Sequence, residues 1–201
     1  MEKSTIGNTT RLCGCVEEKA HFSHISRNRK FYVFPLRVAR LSGAEDVINV
    51  VCDEEKLSAI EPDGSSMIRV TGELRSYNNK SGVGNRLIIF VYANDIEFCD
   101  EEPENLITLR GTICKQPSLR MTPLGREICD LLVAVNRPFG RSDYLPCITW
   151  GQNAREASSW NVGDTVILEG RVQSRSYIKN VDGQQVKKTA FEVSASSIEK
   201  I

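Results

Sequence analysis

The segment Leu12-Cys13-Gly14-Cys15-Val16 returns 97 positions later as Leu109-Arg110-Gly111-Thr112-Ile113, and Val70-Thr71-Gly72-Glu73-Leu74 returns 98 positions later as Leu168-Glu169-Gly170-Arg171-Val172. A nearly constant offset between two separated pairs means that one structural unit is written twice. The 201 residues therefore divide into two units of about 100, a common domain size. Between them lies Cys99-Asp100-Glu101-Glu102-Pro103-Glu104-Asn105, whose repelling carboxylates and proline suit neither a strand nor a core. We place a first domain at 1–99, an acidic linker at 100–105 and a second domain at 106–201.

Within each half the dominant period is two, the mark of strands with one buried face. Val166, Leu168, Gly170 and Val172 share one side of a strand, leaving Ile167, Glu169, Arg171, Gln173 and Arg175 on the other. In the first half Ile68, Val70, Gly72 and Leu74 point inward, and Arg69, Thr71, Glu73, Arg75 and Tyr77 outward. Strands are expected near 10–18, 29–40, 46–52, 66–77 and 86–98, with a short helix near 53–60. The second half repeats the order, near 106–115, 126–137, 143–150, 164–177 and 186–198, with a helix near Gln152–Ser159. Five strands with a helix between the third and fourth is the order of the oligonucleotide-binding (OB) barrel. The expected fold is thus all-β, two tandem five-stranded OB-fold barrels. Gly111 and Gly170 interrupt strand patterns where a small barrel needs a sharp bend or a close backbone approach.

Composition narrows the chemistry. Apolar residues make up 40 % and charged residues 26 %, as in an ordinary globule. There is no apolar run long enough to span a bilayer, and the start carries no basic-then-apolar leader, so the cytoplasm and no membrane partner are expected. The 26 basic and 26 acidic residues cancel, but they are segregated: 1–44 hold eight Lys/Arg against three acids, and 95–104 hold six acids and no base. Basic grooves on a neutral protein are compatible with that distribution. The seven cysteines show no metal-site spacing; even Cys13-Gly14-Cys15 beside His21 and His24 reads better as small strand residues, so no metal and no disulfide are assigned. Phosphate-loop, zinc-protease and nucleophile-elbow motifs are missing, and Gly82-Val83-Gly84 after Tyr77-Asn78-Asn79-Lys80-Ser81 reads as a hairpin turn. An enzyme, a cofactor and a small-molecule substrate are therefore not expected.

What stands out is aromatic residues on strands beside basic neighbours. Tyr144, Pro146, Ile148 and Trp150 share one side of the third strand of the second half, and Tyr177 follows Arg171, Gln173 and Arg175. Flat rings stack unpaired bases of any sequence while Arg and Lys neutralise phosphates. Periodicity leaves the choice of face open, because Leu145, Cys147 and Thr149 would also serve as core. Trp160 is assigned to the core or barrel base; Phe34, Leu36 and Val38 point inside, leaving Phe31 and Arg37 as weaker surface candidates.

From Thr122-Pro123-Leu124-Gly125-Arg126 through Asp130-Leu131-Leu132-Val133-Ala134-Val135-Asn136-Arg137, and again at Ser142-Asp143-Tyr144-Leu145-Pro146-Cys147-Ile148-Thr149-Trp150-Gly151 and Leu168-Glu169-Gly170, the chain resembles bacterial single-stranded DNA-binding proteins. The first half, through Phe31–Gly43 and Gly72-Glu73-Leu74-Arg75-Ser76-Tyr77, resembles the leading domain of tandem members found in Firmicutes. The resemblance implies sequence-tolerant binding and protection of single-stranded DNA in replication, recombination or repair. A protein adaptor or an RNA-binding module is the alternative. The resemblance implies base stacking on Tyr144, Trp150 and Tyr177, which selects the outward face for them; Arg171, Arg175, Arg126, Arg137, Lys179, Arg75 and Arg37 are the further candidate contacts, and Tyr77 the main stacking group expected of the first half. The family's working unit has four barrels, so a homodimer of this two-barrel chain is expected. Two departures stand out. Val47-Ile48-Asn49-Val50-Val51-Cys52 carries no aromatic, so weaker binding or an assembly role is expected of the first barrel; and the sequence ends Ile198-Glu199-Lys200-Ile201 rather than in an acidic, Phe-terminated tip, so recruitment through such a tip is not expected.

Overall fold

A computed structural model describes residues 7–58, 67–81, 84–181 and 184–201, with the backbone alone for Lys179 and Val181. In chain order the elements are β1 (Asn8–Val16), β2 (His21–Ser26), β3 (Arg29–Ala39), β4 (Glu45–Asp53), α1 (Glu54–Ser58), β5 (Met67–Asn78) and β6 (Leu87–Phe98). The second repeat follows with β7 (Glu104–Ile113), β8 (Ser118–Met121), β9 (Glu127–Arg137), β10 (Arg141–Trp150), α2 (Gly151–Ser158), β11 (Thr165–Val181) and β12 (Gln184–Lys200). A 3-10 turn over Pro138–Gly140 joins β9 to β10.

The strands of each repeat close on themselves. In the first, the order β3-β4-β6-β5-β1 is completed by a pairing of β1 with β3, as at Cys15 and Arg37. In the second, β7-β11-β12-β10-β9 is completed by β7 with β9, as at Thr112 and Ala134. The third and fifth barrel strands run parallel in both, β4 with β6 and β10 with β12, whereas β1 with β3 and β5, β2 with β3, β3 with β4, β7 with β9, β8 with β9, β9 with β10 and β11 with β12 pair antiparallel. These are two OB-fold barrels with a helix between the third and fourth strands. By packing, the described residues form one compact unit within 8–75 and 90–107, and another from Gly7 with those within 76–89 and 108–201. Residues 104 and 105 of the acidic stretch are already strand.

The cores follow the period of two. Ile68, Val70 and Leu74 are fully buried on one face of β5, and Val166, Leu168 and Val172 on one face of β11. Gly111 and Gly170 are required by close approach: an added Cβ would strike the carbonyl of Ala134 at the first and that of Ser194 at the second, where a bulge shifts the register. Ala154 and Ala157 give α2 its buried face, and Trp160 is 2 % exposed beneath it, with its carbonyl accepting Gln116 Nε2 at 3.3 Å. Cys13, Cys52, Cys129 and Cys147 are buried, and burial pushes the thiols of Cys13 and Cys52 up to about 12. No helix of the described residues is long and apolar enough to cross a membrane.

The structure departs from the sequence reading in three places. Each barrel carries an additional strand, β2 on β3 and β8 on β9. Both are exposed at every position, so neither has the alternation that marks a strand in sequence. Phe31 is not a surface residue: it is 7 % exposed, because β2 lays His24 against it, rings stacked at 4.9 Å. The expected helix near 53–60 appears as α1 over 54–58, capped by Asp53, whose Oδ1 accepts the Lys56 N–H at 3.0 Å; residues 59 and 60 lie outside the described residues. The Gly82-Val83 turn lies outside them too.

Candidate nucleic-acid interface

Leu145, Cys147 and Thr149 of β10 are almost wholly buried, which turns the alternate side chains outward. Tyr144 is 48 % exposed and Trp150 38 % exposed; Ile148 is covered although it stands between them. Six residue steps along β10 set the two positions about 20 Å apart. The indole is oriented by a bond from Trp150 Nε1 to Ser194 Oγ at 3.1 Å.

That serine leads to the basic side chains. In the β11–β12 ladder Ser194 lies opposite Arg171, Glu192 opposite Gln173, Ala190 opposite Arg175 and Lys188 opposite Tyr177, and directly opposed residues share a face. The outer surface of the barrel therefore runs from Trp150 through Ser194 to Arg171, and along β11 to Arg175 and Tyr177. Arg171 has no ion-pair partner among the described residues, and neither does Arg126, exposed in the turn that Thr122 closes by accepting the Arg126 N–H at 3.0 Å. The guanidinium of Arg175 stands 6.0 Å from the Tyr177 ring centroid and 3.9 Å from Glu192 Oε2, while the other oxygen of that carboxylate, Oε1, accepts a hydrogen bond from Gln173 Nε2 at 2.9 Å. Rings and cations thus alternate on one wet face, an arrangement suited to bases and phosphates in turn.

The remaining candidates are placed differently. Arg137 Nε lies 3.0 Å from the fully buried carboxylate of Asp143. Arg37 pairs with Glu45 at 3.4 Å. Arg75 lies 3.8 Å over the Tyr92 ring and pairs with Glu73 at 2.9 Å. These three arginines are engaged by their own barrels. Tyr77 is exposed, in the 76–89 segment that packs with the second repeat rather than the first. Lys179 is opposite Val186 in the ladder, and its side chain lies outside the described residues. On β4 the outward positions are Glu45, Val47 and Asn49, so the first barrel presents no ring there.

Sequence reasoning passed over Phe139, 87 % exposed in the β9–β10 turn at a φ of 65°. Its sequence signal was present: an aromatic between Pro138 and Gly140, flanked by Arg137 and Arg141. Arg86 and Lys188 were missed as well, and only the fold brings them to this face.

Comparison with known proteins bears on this site. Residues 104–201 match the model of the single-strand binding protein family. A single-stranded DNA-binding protein of Halalkalibacterium halodurans is 33 % identical over 102 residues, 47 % of this chain and 59 % of that protein. Single-stranded DNA-binding protein A of Bacillus subtilis is 34 % identical over 102 residues, 47 % of this chain and 58 % of that protein. The matched stretch thus spans less than two thirds of these relatives. The wild-type single-stranded DNA binding protein from Thermus aquaticus superposes with a TM-score of 0.77 at 21 % identity, covering 96 % of this chain and 92 % of that one, a likeness of fold across both barrels. The second repeat of the chain, residues 104–201, is thus the part that is similar to the single-strand binding protein family.

Proposed function

We propose that the chain binds and protects single-stranded DNA without regard to sequence, chiefly through the outer face of its second barrel. The observation that carries the reading is the row formed by Trp150, Ser194 and Arg171, continued by Arg175 and Tyr177: exposed rings interleaved with guanidinium groups on one surface. Single strands offer unstacked bases to such rings, at about 1–3 kcal/mol per stack, whereas paired bases offer none. Tyr144, Trp150 and Tyr177 are the proposed platforms, with Arg126 and Arg171 as phosphate contacts. The first barrel, with no ring on β4, contributes less. The relatives' names support DNA as the ligand, and two barrels per chain make a homodimer the natural four-barrel assembly; light scattering that finds monomers at micromolar concentration would remove the dimer.

A fluorescence titration with oligo-dT tests the reading. Trp160 is buried, so quenching reports on Trp150. Quenching that saturates, and an affinity that falls with salt by about 0.7 log units per log unit for each neutralised phosphate, is the expected result. No quenching at low salt, or equal binding of duplex DNA, overturns it. An RNA competitor of equal length separates a DNA preference from a reader of 2′-hydroxyls.

A further inference from the structure

The outer face of β11 and β12 is walled along one side by residues 84–89. Between wall and strands lies a cleft of about 620 Å³, within the roughly 300–1,000 Å³ of small-ligand sites. Arg175, Tyr177, Lys188 and Glu192 line its floor, and Arg86 its wall. The wall is pinned to β12 twice: Lys188 Nζ donates to the Gly84 carbonyl at 3.1 Å, and Asn85 Nδ2 donates to the carbonyl of Thr189. At its other end the 76–89 segment is held to β10, where Ser76 N donates to Asp143 Oδ1 at 2.7 Å and Tyr144 N donates to Ser76 Oγ at 2.8 Å.

The cleft carries three cationic side chains against one carboxylate, and that carboxylate, Glu192, is already held by Gln173 and Arg175. A site so charged, with the ring of Tyr177 at its side, fits a phosphodiester next to a stacked base. Arg86 is exposed, lacks an ion-pair partner among the described residues, and comes from the first repeat. We infer that Arg86 completes the single-strand site of the second barrel by binding the phosphate beside the base on Tyr177, a proposal that rests on the function proposed above. The segment that carries Arg86 is thereby a fixed wall of the DNA path.

The test uses the full chain and an oligo-dT of about eight residues, short enough to sit on one barrel at about 4–16 nucleotides per barrel. Arg86→Ala is expected to lower affinity about 3–10-fold and to make the salt dependence shallower by about 0.7 in slope, the share of one phosphate. Arg86→Lys is expected to keep most of the slope, and Arg27→Ala, in the β2–β3 turn of the first barrel, to change neither. Unaltered melting temperatures confirm that the variants fold. If Arg86→Ala binds as the native protein does while Trp150→Ala binds less well, the role of Arg86 is overturned and the proposed function stands. If the native chain fails to quench with any oligo-dT, both fall together.

Discussion

The carboxylate of Asp143 accepts the backbone N–H of Ser76 at 2.7 Å, although 67 positions separate them in sequence. Asp143 is fully buried, and the guanidinium of Arg137 lies 3.0 Å from its other oxygen. The first repeat places the same pair 97 positions earlier, where Asp46, equally buried, takes two bonds from Arg40 at 2.5 and 2.6 Å. A charge at the start of the third barrel strand is thus neutralised by the end of the second in both repeats, and in the second it also anchors the segment that carries Tyr77 and Arg86.

Replacing Asp143 should therefore cost stability and binding together. Asp143→Asn leaves Arg137 without its counter-charge; since that side chain is still 22 % exposed, the loss should fall below the 3–5 kcal/mol of a broken buried pair, at about 2 kcal/mol. Urea unfolding measures it. Affinity for oligo-dT should fall as well, because the bonds at Ser76 and Tyr144 loosen.

The bond from Trp150 to Ser194 makes a graded prediction. Trp150→Ala removes a stacking platform, at about 1–3 kcal/mol of binding. Ser194→Ala keeps the ring and releases its orientation, so about 0.5–1.5 kcal/mol is expected. Phe22→Ala, on exposed β2, should leave binding unchanged. Isotherms for the three variants at one salt concentration decide the order, and equal losses would reject the site assignment.

Much of this was legible in the sequence, and the reason is physical. Barrel strands with one buried face write their period into the chain, so β5, β9, β10, β11 and α2 lie close to where alternation and composition place them. Strands β2 and β8, exposed throughout, leave no such trace, and without β2 the burial of Phe31 could not be foreseen. Rings that face outward were identified at Tyr144, Trp150 and Tyr177, once the face was chosen. The partners of arginines were not: Arg37, Arg75 and Arg137 meet carboxylates or a ring across the ladder or along it, and register, not spacing, decides that. Tyr77 was assigned to the first barrel because chain order says so, whereas packing places residues 76–89 with the second repeat.

The glycine at the bulge of β11 is a test of the barrel itself. Gly170→Ala drives a methyl group into the Ser194 carbonyl and the adjoining backbone of Ala195, neither of which is a flexible side-chain end. Overpacking of this kind costs about 1–3 kcal/mol. The displacement would also move Ser194, hence the Trp150 indole, so a blue or red shift of Trp150 emission should accompany the lower urea midpoint. A variant as stable as the native chain would show that the β11–β12 crossing relaxes without cost.

Acid should weaken the second barrel through Asp164. Its carboxylate accepts the Asn161 N–H at 2.8 Å and Lys200 Nζ at 3.0 Å, closing the turn after Trp160 onto the end of β12. The backbone bond from Asn161 and then the lysine bond hold its carboxyl below the ordinary carboxylate value. A depressed carboxylate stabilises the fold wherever it is ionised in the unfolded chain, above about pH 4, and that contribution is lost as pH falls through the lower folded value. Asp164→Asn should therefore melt lower than the native chain at neutral pH, with the gap narrowing below about pH 4. A gap that persists unchanged into acid would show that the carboxylate's charge is not its source, since the amide oxygen of asparagine still accepts the Asn161 N–H and lacks only the charge for Lys200.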